Sequence, residues 1–240
     1  GELFFFLPPE YAGWDDLPAE QWRWTDDTHM ALSIVEVLKE HGRIDQDALA
    51  RSFARRYIEQ PNRGYAGGAR RLLVQIATGS DWRDASPKLF GGGSFGNGSA
   101  MRVAPVGAFF AGDPEHAAEE ARLSAVVTHA HPEGQAGAVA AAVAASLAAR
   151  VPRPTGRDFI DEVVRYVPAG LTRQRLLLAR DIPAAEHARA AMTLGTGYEV
   201  TAQDTVPFCV WVAAYHLDSY EDALWLTAKG RGDCDTTCAI

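Results

Sequence analysis

The sequence predicts an all-α protein that forms one compact domain over residues 1–240. Apolar residues recur at helical spacing along most of the chain, as Ile34, Val35 and Leu38 illustrate. No Asn-Gly turn lies between two alternating strands, because Asn97-Gly98 belongs to a glycine-rich loop. A chain of 240 residues with 47% hydrophobic content can bury a large core, and no change of composition marks a linker.

Helices are expected in the following order. The first two follow short polar clusters: one places Ile34 and Leu38 on its apolar face, and the next places Leu49 and Phe53 on its own. Further helices are expected at about 68–78, 99–110, 114–127, 133–149, 157–166, 169–179, 183–194, 203–215 and 219–229. The segment 133–149 is rich in Ala and Gly, which let neighbouring helices approach closely, so we expect it at the centre of the core.

Composition argues against several classes of function. The formal net charge of −8 argues against a broad nucleic-acid surface, so no direct nucleic-acid partner is expected. Cys209, Cys234 and Cys238 are odd in number and lack CxxC spacing, which argues against a disulfide framework and favours the cytoplasm. The chain opens without a signal-peptide pattern, and its most apolar segment, 136–149, is too short to span a bilayer, so no membrane association is expected.

Two short acidic clusters lie near opposite ends of the chain, each directly before a predicted helix start. The first is Thr25-Asp26-Asp27-Thr28, and the second is Asp233-Cys234-Asp235-Thr236-Thr237. Carboxylates that meet in one cleft repel each other, and in a low dielectric this repulsion raises a pKa or requires a cation. The implied ligands are all oxygen atoms, so Mg²⁺ or Mn²⁺ fits better than Zn²⁺, which favours His and Cys.

Helix capping is the alternative interpretation of both clusters. Thr and Asp are common N-cap residues, because their side-chain oxygens accept hydrogen bonds from free backbone N–H groups. A cap uses one or two such residues, whereas each cluster has four, and the pattern occurs twice. This repetition favours a metal site.

The densest glycine segment runs from Gly91 to Ser99 into a predicted helix, and it predicts an anion site. Glycine lets a diphosphate approach the backbone closely, and N–H groups at a helix start attract negative charge. Gly91, Gly93 and Gly96 satisfy the GxGxxG pattern, but residues 85–90 before them make a poor strand, so we reject a Rossmann unit. A flexible connector is the alternative.

Two further loops carry polar side chains. Arg63 and Tyr65, in the glycine-containing segment 61–68, are suited to contact a phosphate and to stack on a base or ribose. His129 and His131 have a spacing that suits a metal on a strand, but the proline that follows them marks a helix start instead. We expect His129 to contact substrate, with metal ligation by both histidines or a helix-end role as alternatives.

Five motifs occur in a fixed order along the chain. They are Trp24-Thr25-Asp26-Asp27-Thr28, Pro61-Asn62-Arg63-Gly64-Tyr65, Gly93-Ser94-Phe95-Gly96-Asn97-Gly98-Ser99-Ala100-Met101-Arg102-Val103-Ala104-Pro105, Thr128-His129 and Gly232-Asp233-Cys234-Asp235-Thr236. This is the order found in ADP-ribosylglycohydrolases, a family that the chain strongly resembles over nearly all of its length. A single Asp-Asp-Thr is uninformative, whereas five ordered motifs are specific.

The resemblance implies a fold, a metal centre and a ligand. Members of the family are all-α, which implies a single multi-helix orthogonal bundle with a cleft for two Mg²⁺ or Mn²⁺ ions. The implied metal ligands are Thr25, Asp26, Asp27, Asp233, Asp235 and Thr236. The implied substrate-binding residues are Ser94, Phe95, Gly96, Asn97 and Gly98 at the diphosphate and adjacent ribose, and Gly64, Tyr65 and His129 along the ADP-ribose cleft.

The chain departs from the family pattern at both ends. Members usually begin with a Gly-Asp-Ala-Leu-Gly-like helix that supplies a glutamate near the metals, and Gly1-Glu2 is the part that matches here. Members also usually continue past the second acidic motif, whereas this chain stops at Ile240. We therefore expect a domain that lacks parts of both terminal helices, with Glu2 as the match for the glutamate.

The predicted function is metal-dependent hydrolysis of an ADP-ribosyl glycosidic bond, which removes ADP-ribose from protein side chains or related conjugates. The catalytic candidates are Asp26, Asp27 and Glu2, with Asp27 or Glu2 accepting the proton of the attacking water. The implied partners are ADP-ribose and ADP-ribosylated proteins. The alternatives are a protein that binds ADP-ribose without turnover and a hydrolase whose metal is held by His129 and His131.

Overall fold

The computed structural model of the chain describes residues 23–150 and 152–240. These residues form thirteen α-helices and three short 3₁₀ turns and contain no named strand. The helices are α1 (Asp26–His41), α2 (Gln46–Glu59), α3 (Gly67–Ala77), α4 (Trp82–Ala85), α5 (Ala104–Phe109), α6 (Pro114–Val126), α7 (Pro132–Ala148), α8 (Gly156–Tyr166), α9 (Leu171–Ala179), α10 (His187–Leu194), α11 (Val206–His216), α12 (Tyr220–Lys229) and α13 (Cys234–Ala239). The 3₁₀ turns are Leu89–Gly91, Asn97–Ser99 and Ala202–Asp204. The predicted all-α fold is confirmed.

Helix α7 lies at the centre of the core. Twelve of its 17 residues are buried, and it packs against α5, α6, α8, α9 and α11. Its small side chains let α5 approach so closely that a Cβ at Gly107 would overlap the carbonyl oxygen of Ala142. The central position predicted for this Ala-rich helix is confirmed.

Three predicted helices begin later than their apolar pattern indicated, and proline explains two of these delays. Within 99–110 only α5 is helical, and within 203–215 α11 begins after a separate 3₁₀ turn. Pro105 and Pro207 lie in the first turns of these helices, where the missing N–H is tolerated, because further along it would break the helix. Helix α10 follows a turn closed by a hydrogen bond to the Pro183 carbonyl.

The fold brings the two ends of the described chain together. Helix α1 contacts α13, and α13 is also supported by α11 and α12. The starts of α1 and α13 therefore lie side by side, and these are the positions of the two acidic clusters. None of the described helices combines the length and the apolar character that a bilayer crossing requires.

The close contact between α5 and α7 predicts the effect of one methyl group. Gly107→Ala would force the two helices apart, so the free energy of unfolding should fall by about 1–3 kcal/mol. Gly67→Ala is the matched control, because a Cβ there meets nothing within 4 Å. Urea denaturation measures both variants, and an equal loss of stability in the two would contradict the described packing.

Candidate metal centre and ligand cavity

The first acidic cluster forms the start of α1. Asp26 and Asp27 are the first two residues of the helix, and the Asp26 N–H donates to the Arg63 carbonyl at 2.6 Å. Thr25 occupies the N-cap position, but its side chain makes no bond to the helix backbone. Its hydroxyl donates instead to Asp27 Oδ2 at 2.9 Å. The capping interpretation is therefore wrong for the Thr25 side chain, which orients a carboxylate.

The second cluster opens α13. Asp233 is the N-cap residue, and its Oδ1 accepts a hydrogen bond from the Thr236 N–H at 3.3 Å, so capping does describe this side chain. Its Oδ2 accepts from the Asn97 side-chain amide at 2.8 Å. The Asp233 N–H donates to the Thr196 carbonyl at 3.0 Å. These three bonds fix the point at which α13 begins.

Three carboxylates from the two clusters converge. One oxygen from each of Asp26, Asp27 and Asp235 lies within 4.8 Å of the other two. Burial raises the pKa of Asp26 to about 7, and the charges of Asp235 and Asp233 contribute to this rise. Burial also raises the pKa of Asp27 well above its ordinary value, with Asp235 and Asp26 adding to the effect.

The chemistry of this group fits a hard divalent cation. Asp27 is only 4% exposed, and its Oδ1 has no hydrogen-bond partner in the described part of the chain. A buried acceptor of this kind needs a partner, and carboxylate oxygens are the ligands that Mg²⁺ and Mn²⁺ prefer. Across residues 23–150 and 152–240, no other group of three or more His, Cys, Asp or Glu side chains converges in this way.

The carboxylates lie in the wall of a cavity of about 580 Å³, a size typical of small-molecule sites. Most of the predicted site residues line it. They are Thr25, Asp26, Asp27, Asp233, Asp235 and Thr236 from the acidic clusters, together with Gly64, Ser94, Phe95, Gly96, Asn97, Gly98 and His129. The fold thus places the metal-type cluster and the glycine segment around one space.

Two of the predicted residues are not in this wall. Tyr65 is 1% exposed and does not line the cavity. Its hydroxyl lies 2.9 Å from His29 Nδ1, and its ring packs against the ring of Tyr57. The expectation that Tyr65 lines the cleft is therefore corrected, because its ring is buried between α1 and α2. Glu2 lies outside the described residues.

Hydrogen bonds hold the glycine segment 91–99 in place. The Asn97 N–H donates to the Val200 carbonyl at 3.2 Å, and the Asn97 side chain reaches both Asp233 and Thr205. Ser94 Oγ accepts from the Gly96 N–H at 3.2 Å. The segment is therefore hydrogen-bonded to the N-cap residues of both α13 and α11 and is not a free connector.

The same segment carries donors suited to an anion. Within the described chain, the backbone N–H groups of Ser94 and Phe95 have no acceptor, and both residues line the cavity. Free N–H groups next to each other in a glycine-rich loop bind phosphate oxygens. The anion-site interpretation of this segment therefore has geometric support.

Sequence reasoning missed part of the cavity wall. Glu199 and Val200 line the cavity, and the Glu199 N–H donates to Asp204 Oδ2 at 2.9 Å. Val200 has a φ of +56°, which is rare for a β-branched residue, and its carbonyl accepts the Asn97 N–H. The sequence carries no local signal for Glu199, because tertiary hydrogen bonds determine its position.

The two histidines have different roles. His129 is 9% exposed, lines the cavity and has Nδ1 at 2.8 Å from Thr128 Oγ1. Burial lowers the pKa of His129 to about 3, with the positive charge of Arg102 adding to the fall, so the ring is neutral. His131 Nδ1 accepts the Glu133 N–H at 3.1 Å and caps α7. Within the described residues, neither histidine belongs to a group of three or more converging ligand side chains.

Comparisons with known proteins agree with these observations. The family model for ADP-ribosylglycohydrolase matches residues 4–240. An uncharacterized protein of Archaeoglobus fulgidus is 29% identical over 244 residues, which cover 100% of this chain and 74% of the relative. ADP-ribosylhydrolase ARH3 of Gallus gallus is 33% identical over 197 residues, which cover 75% of this chain and 53% of the relative. ARH3 of Homo sapiens is 36% identical over 129 residues, which cover 52% of this chain and 35% of the relative.

The chain thus spans about half, or less, of the length of these ARH3 relatives. A solved structure described as an ADP-ribosylglycohydrolase-related protein complex has a TM-score of 0.54 to this chain at 23% identity, with 95% of this chain and 71% of that chain covered. This similarity shows a common fold. Because the family model matches nearly the whole chain, the protein belongs to the ADP-ribosylglycohydrolase family.

Proposed function

We propose that this protein hydrolyses the glycosidic bond between ADP-ribose and a protein side chain, or a related ADP-ribose conjugate, in a reaction that depends on divalent cations. The observation that carries the proposal is the convergence of Asp26, Asp27 and Asp235 within 4.8 Å, in a cavity that the glycine segment also lines. Membership of the ADP-ribosylglycohydrolase family supports it. The proposed partners are accordingly ADP-ribose and ADP-ribosylated proteins.

The two acidic clusters supply the proposed metal ligands. Two Mg²⁺ or Mn²⁺ ions would be held by Thr25, Asp26, Asp27, Asp233, Asp235 and Thr236. When bound, the cations would neutralise the carboxylates, orient ribose hydroxyls and lower the pKa of a water molecule. The unpartnered Asp27 Oδ1 supports this assignment.

The other walls of the cavity suit the remaining parts of ADP-ribose. The free N–H groups of Ser94 and Phe95 are proposed donors to the diphosphate. Gly64 brings the backbone close to the metal ligands, since a Cβ there would lie 3.2 Å from Asp26 Oδ1. The rings of Phe95, 41% exposed, and Phe90, 64% exposed, offer aromatic surface to the adenine base.

Asp27 is the proposed proton acceptor. In hydrolysis the water oxygen bonds to C1″ of the ribose, the bond from C1″ to the leaving group breaks through an oxocarbenium-like state, and the leaving group takes up a proton. Asp27 lines the cavity, and the Thr25 hydroxyl holds its carboxylate in place through Oδ2, so it is positioned to take a proton from a water molecule in the cavity. Asp26 lies beside it, and Glu2 is the alternative acceptor.

The proposed activity predicts metal-dependent release of free ADP-ribose. The measurement uses peptides ADP-ribosylated on serine or on arginine, incubated with the protein in Mg²⁺ and then in EDTA. Release in Mg²⁺ and its loss in EDTA are expected, because the three carboxylates repel each other when no cation lies between them. Binding of ADP-ribose without release from either peptide would contradict the proposal and favour a non-catalytic binding protein.

Asp27→Asn should lower kcat by at least about 100-fold, because the amide cannot accept the water proton. The fold should persist, since the substitution removes a buried charge and keeps the shape of the side chain. Asp222→Asn is the matched control, because Asp222 also lies in the first turn of a helix but is exposed. Kinetics and circular dichroism test both variants, and an active Asp27→Asn protein would show that the base is elsewhere.

Mg²⁺ should stabilise the protein more at about pH 7.5 than at about pH 5.5. In the metal-free folded protein, burial raises the pKa of Asp26 from 3.8 to about 7. Ionisation of Asp26 therefore lowers the free energy of unfolding, and this loss of stability is absent below pH 3.8 and complete above about pH 7. A bound cation offsets this loss of stability, whereas at lower pH protons compete with the cation for the carboxylate. At a Mg²⁺ concentration about 100 times the Kd at about pH 7.5, thermal unfolding should show a gain of about 2.7 kcal/mol at that pH. The same Mg²⁺ concentration should give a smaller gain at about pH 5.5, and equal gains at both pH values would contradict this prediction.

A further inference from the structure

The two ring nitrogens of His129 have different surroundings: one is hydrogen-bonded to a protein side chain, and the other is at the cavity. Its Nδ1 contacts Thr128, whereas its Nε2 has no hydrogen-bond partner within the described residues. A Cβ at Gly98 would lie 3.3 Å from this Nε2, and a Cβ at Gly96 would lie 3.5 Å from it. The two glycines therefore leave Nε2 directly beside the glycine segment.

The hydroxyl of Thr128 determines which nitrogen carries the proton. Arg102 Nη2 donates to Thr128 Oγ1 at 2.9 Å, and because a guanidinium has no acceptor, the direction of this bond is fixed. Thr128 Oγ1 therefore has its single proton left to donate. In the described part of the chain, the acceptor within reach is His129 Nδ1, at 2.8 Å. The neutral ring then holds its own proton on Nε2.

The opposite tautomer is unfavourable. With a proton on Nδ1, the Thr128 hydroxyl proton would be buried without an acceptor, which costs about 1–3 kcal/mol. A doubly protonated ring would place a second positive charge next to Arg102.

Arg102 is an unusual residue in this position. Its side chain is 0% exposed, and its guanidinium lies 4.4 Å from the centre of the Phe53 ring. Its hydrogen-bond partners in the described chain are Thr128 Oγ1, the Ser124 carbonyl and the Met30 sulfur, with no carboxylate among them. A buried cation without a paired anion is destabilising, so its presence calls for a role.

We infer that Arg102 and Thr128 are positioning residues that hold His129 in the Nε2–H form, so that the ring presents a fixed N–H donor to the cavity. The ligand group that it recognises is an oxygen acceptor. The tautomer is a property of the free protein and does not depend on the proposed function. The part that rests on the proposed function is the identity of the acceptor, an oxygen of the diphosphate or the adjacent ribose. A protonated Nε2 has no lone pair for a metal, so His129 is assigned to ligand recognition.

The tautomer is measured directly in the free protein. Two-bond ¹H–¹⁵N correlation spectra of the protein labelled in its seven histidines distinguish a protonated from a bare ring nitrogen, and His129→Gln identifies the signal. The wild-type protein should show Nε2–H with a bare Nδ1. Thr128→Val, which removes the hydroxyl and keeps the shape, should lose this preference, and Thr128→Ser should retain it.

The variants include matched controls. Thr227→Val removes another buried threonine hydroxyl, one that donates to the Ala223 carbonyl within α12 at 2.8 Å, and it should leave the His129 signals unchanged. Arg102→Lys keeps a cationic donor and should retain the Nε2–H form, whereas Arg102→Met should allow both forms. A wild-type Nδ1–H ring, or an unchanged tautomer in Thr128→Val, would overturn the inference.

Ligand binding provides an independent measurement. Titration calorimetry with ADP-ribose should give a Kd about tenfold weaker for Thr128→Val than for wild type, with Thr128→Ser close to wild type. KM should rise more than kcat falls, because His129 transfers no proton. If ADP-ribose neither binds nor is released but the ring is Nε2–H, the proposed function fails and the tautomer assignment stands. If ADP-ribose binds and leaves the Nε2 resonance unmoved, the assigned ligand contact is wrong.

Discussion

The repulsion among three clustered carboxylates, of which Asp27 is buried and Asp26 and Asp235 are partly buried, is the constraint on which the rest of the structure depends. Asp26, Asp27 and Asp235 stay within 4.8 Å of one another although burial and mutual charge raise the pKa values of Asp26 and Asp27. Such a group persists when the surrounding structure leaves it no alternative and a cation can compensate its charge. The start of α1 is bonded to the Arg63 carbonyl and the start of α13 to the Thr196 carbonyl, and both helices belong to a bundle packed around α7. Burial of apolar surface elsewhere thus holds the carboxylates together.

The glycine segment links this acidic group to the ligand cavity. Asn97 donates through its side chain to Asp233 and through its backbone to Val200, so one residue connects the start of α13, the segment and another part of the cavity wall. Beneath the segment, the Arg102 and Thr128 side chains orient His129. The residues proposed to bind metal and the donors proposed to bind ligand are therefore held by one hydrogen-bonded assembly. These hydrogen bonds explain how loops between helices can hold the side chains of the site in fixed relative positions.

Part of this arrangement could be predicted from the sequence. Helical periodicity gave the all-α fold, and the Ala-rich composition gave the central position of α7, because both are local properties. The acidic clusters were found by their repetition. Whether a side chain in a cluster also caps its helix, as Asp233 does and Thr25 does not, depends on how each chain segment turns into its helix. The sequence did not predict that Tyr65 is buried or that Glu199 is exposed at the cavity, because residues distant in sequence determine both.

The most direct test of the account is anomalous diffraction from crystals of the protein grown with Mn²⁺. The account predicts manganese peaks bonded to carboxylate oxygens of Asp26, Asp27 and Asp235, with none bonded to a histidine nitrogen. It also predicts that the peak next to position 27 weakens or disappears in Asp27→Asn crystals grown in the same way. Manganese bound to His129 and His131, or its absence from the acidic group at saturating concentration, would contradict the central claim.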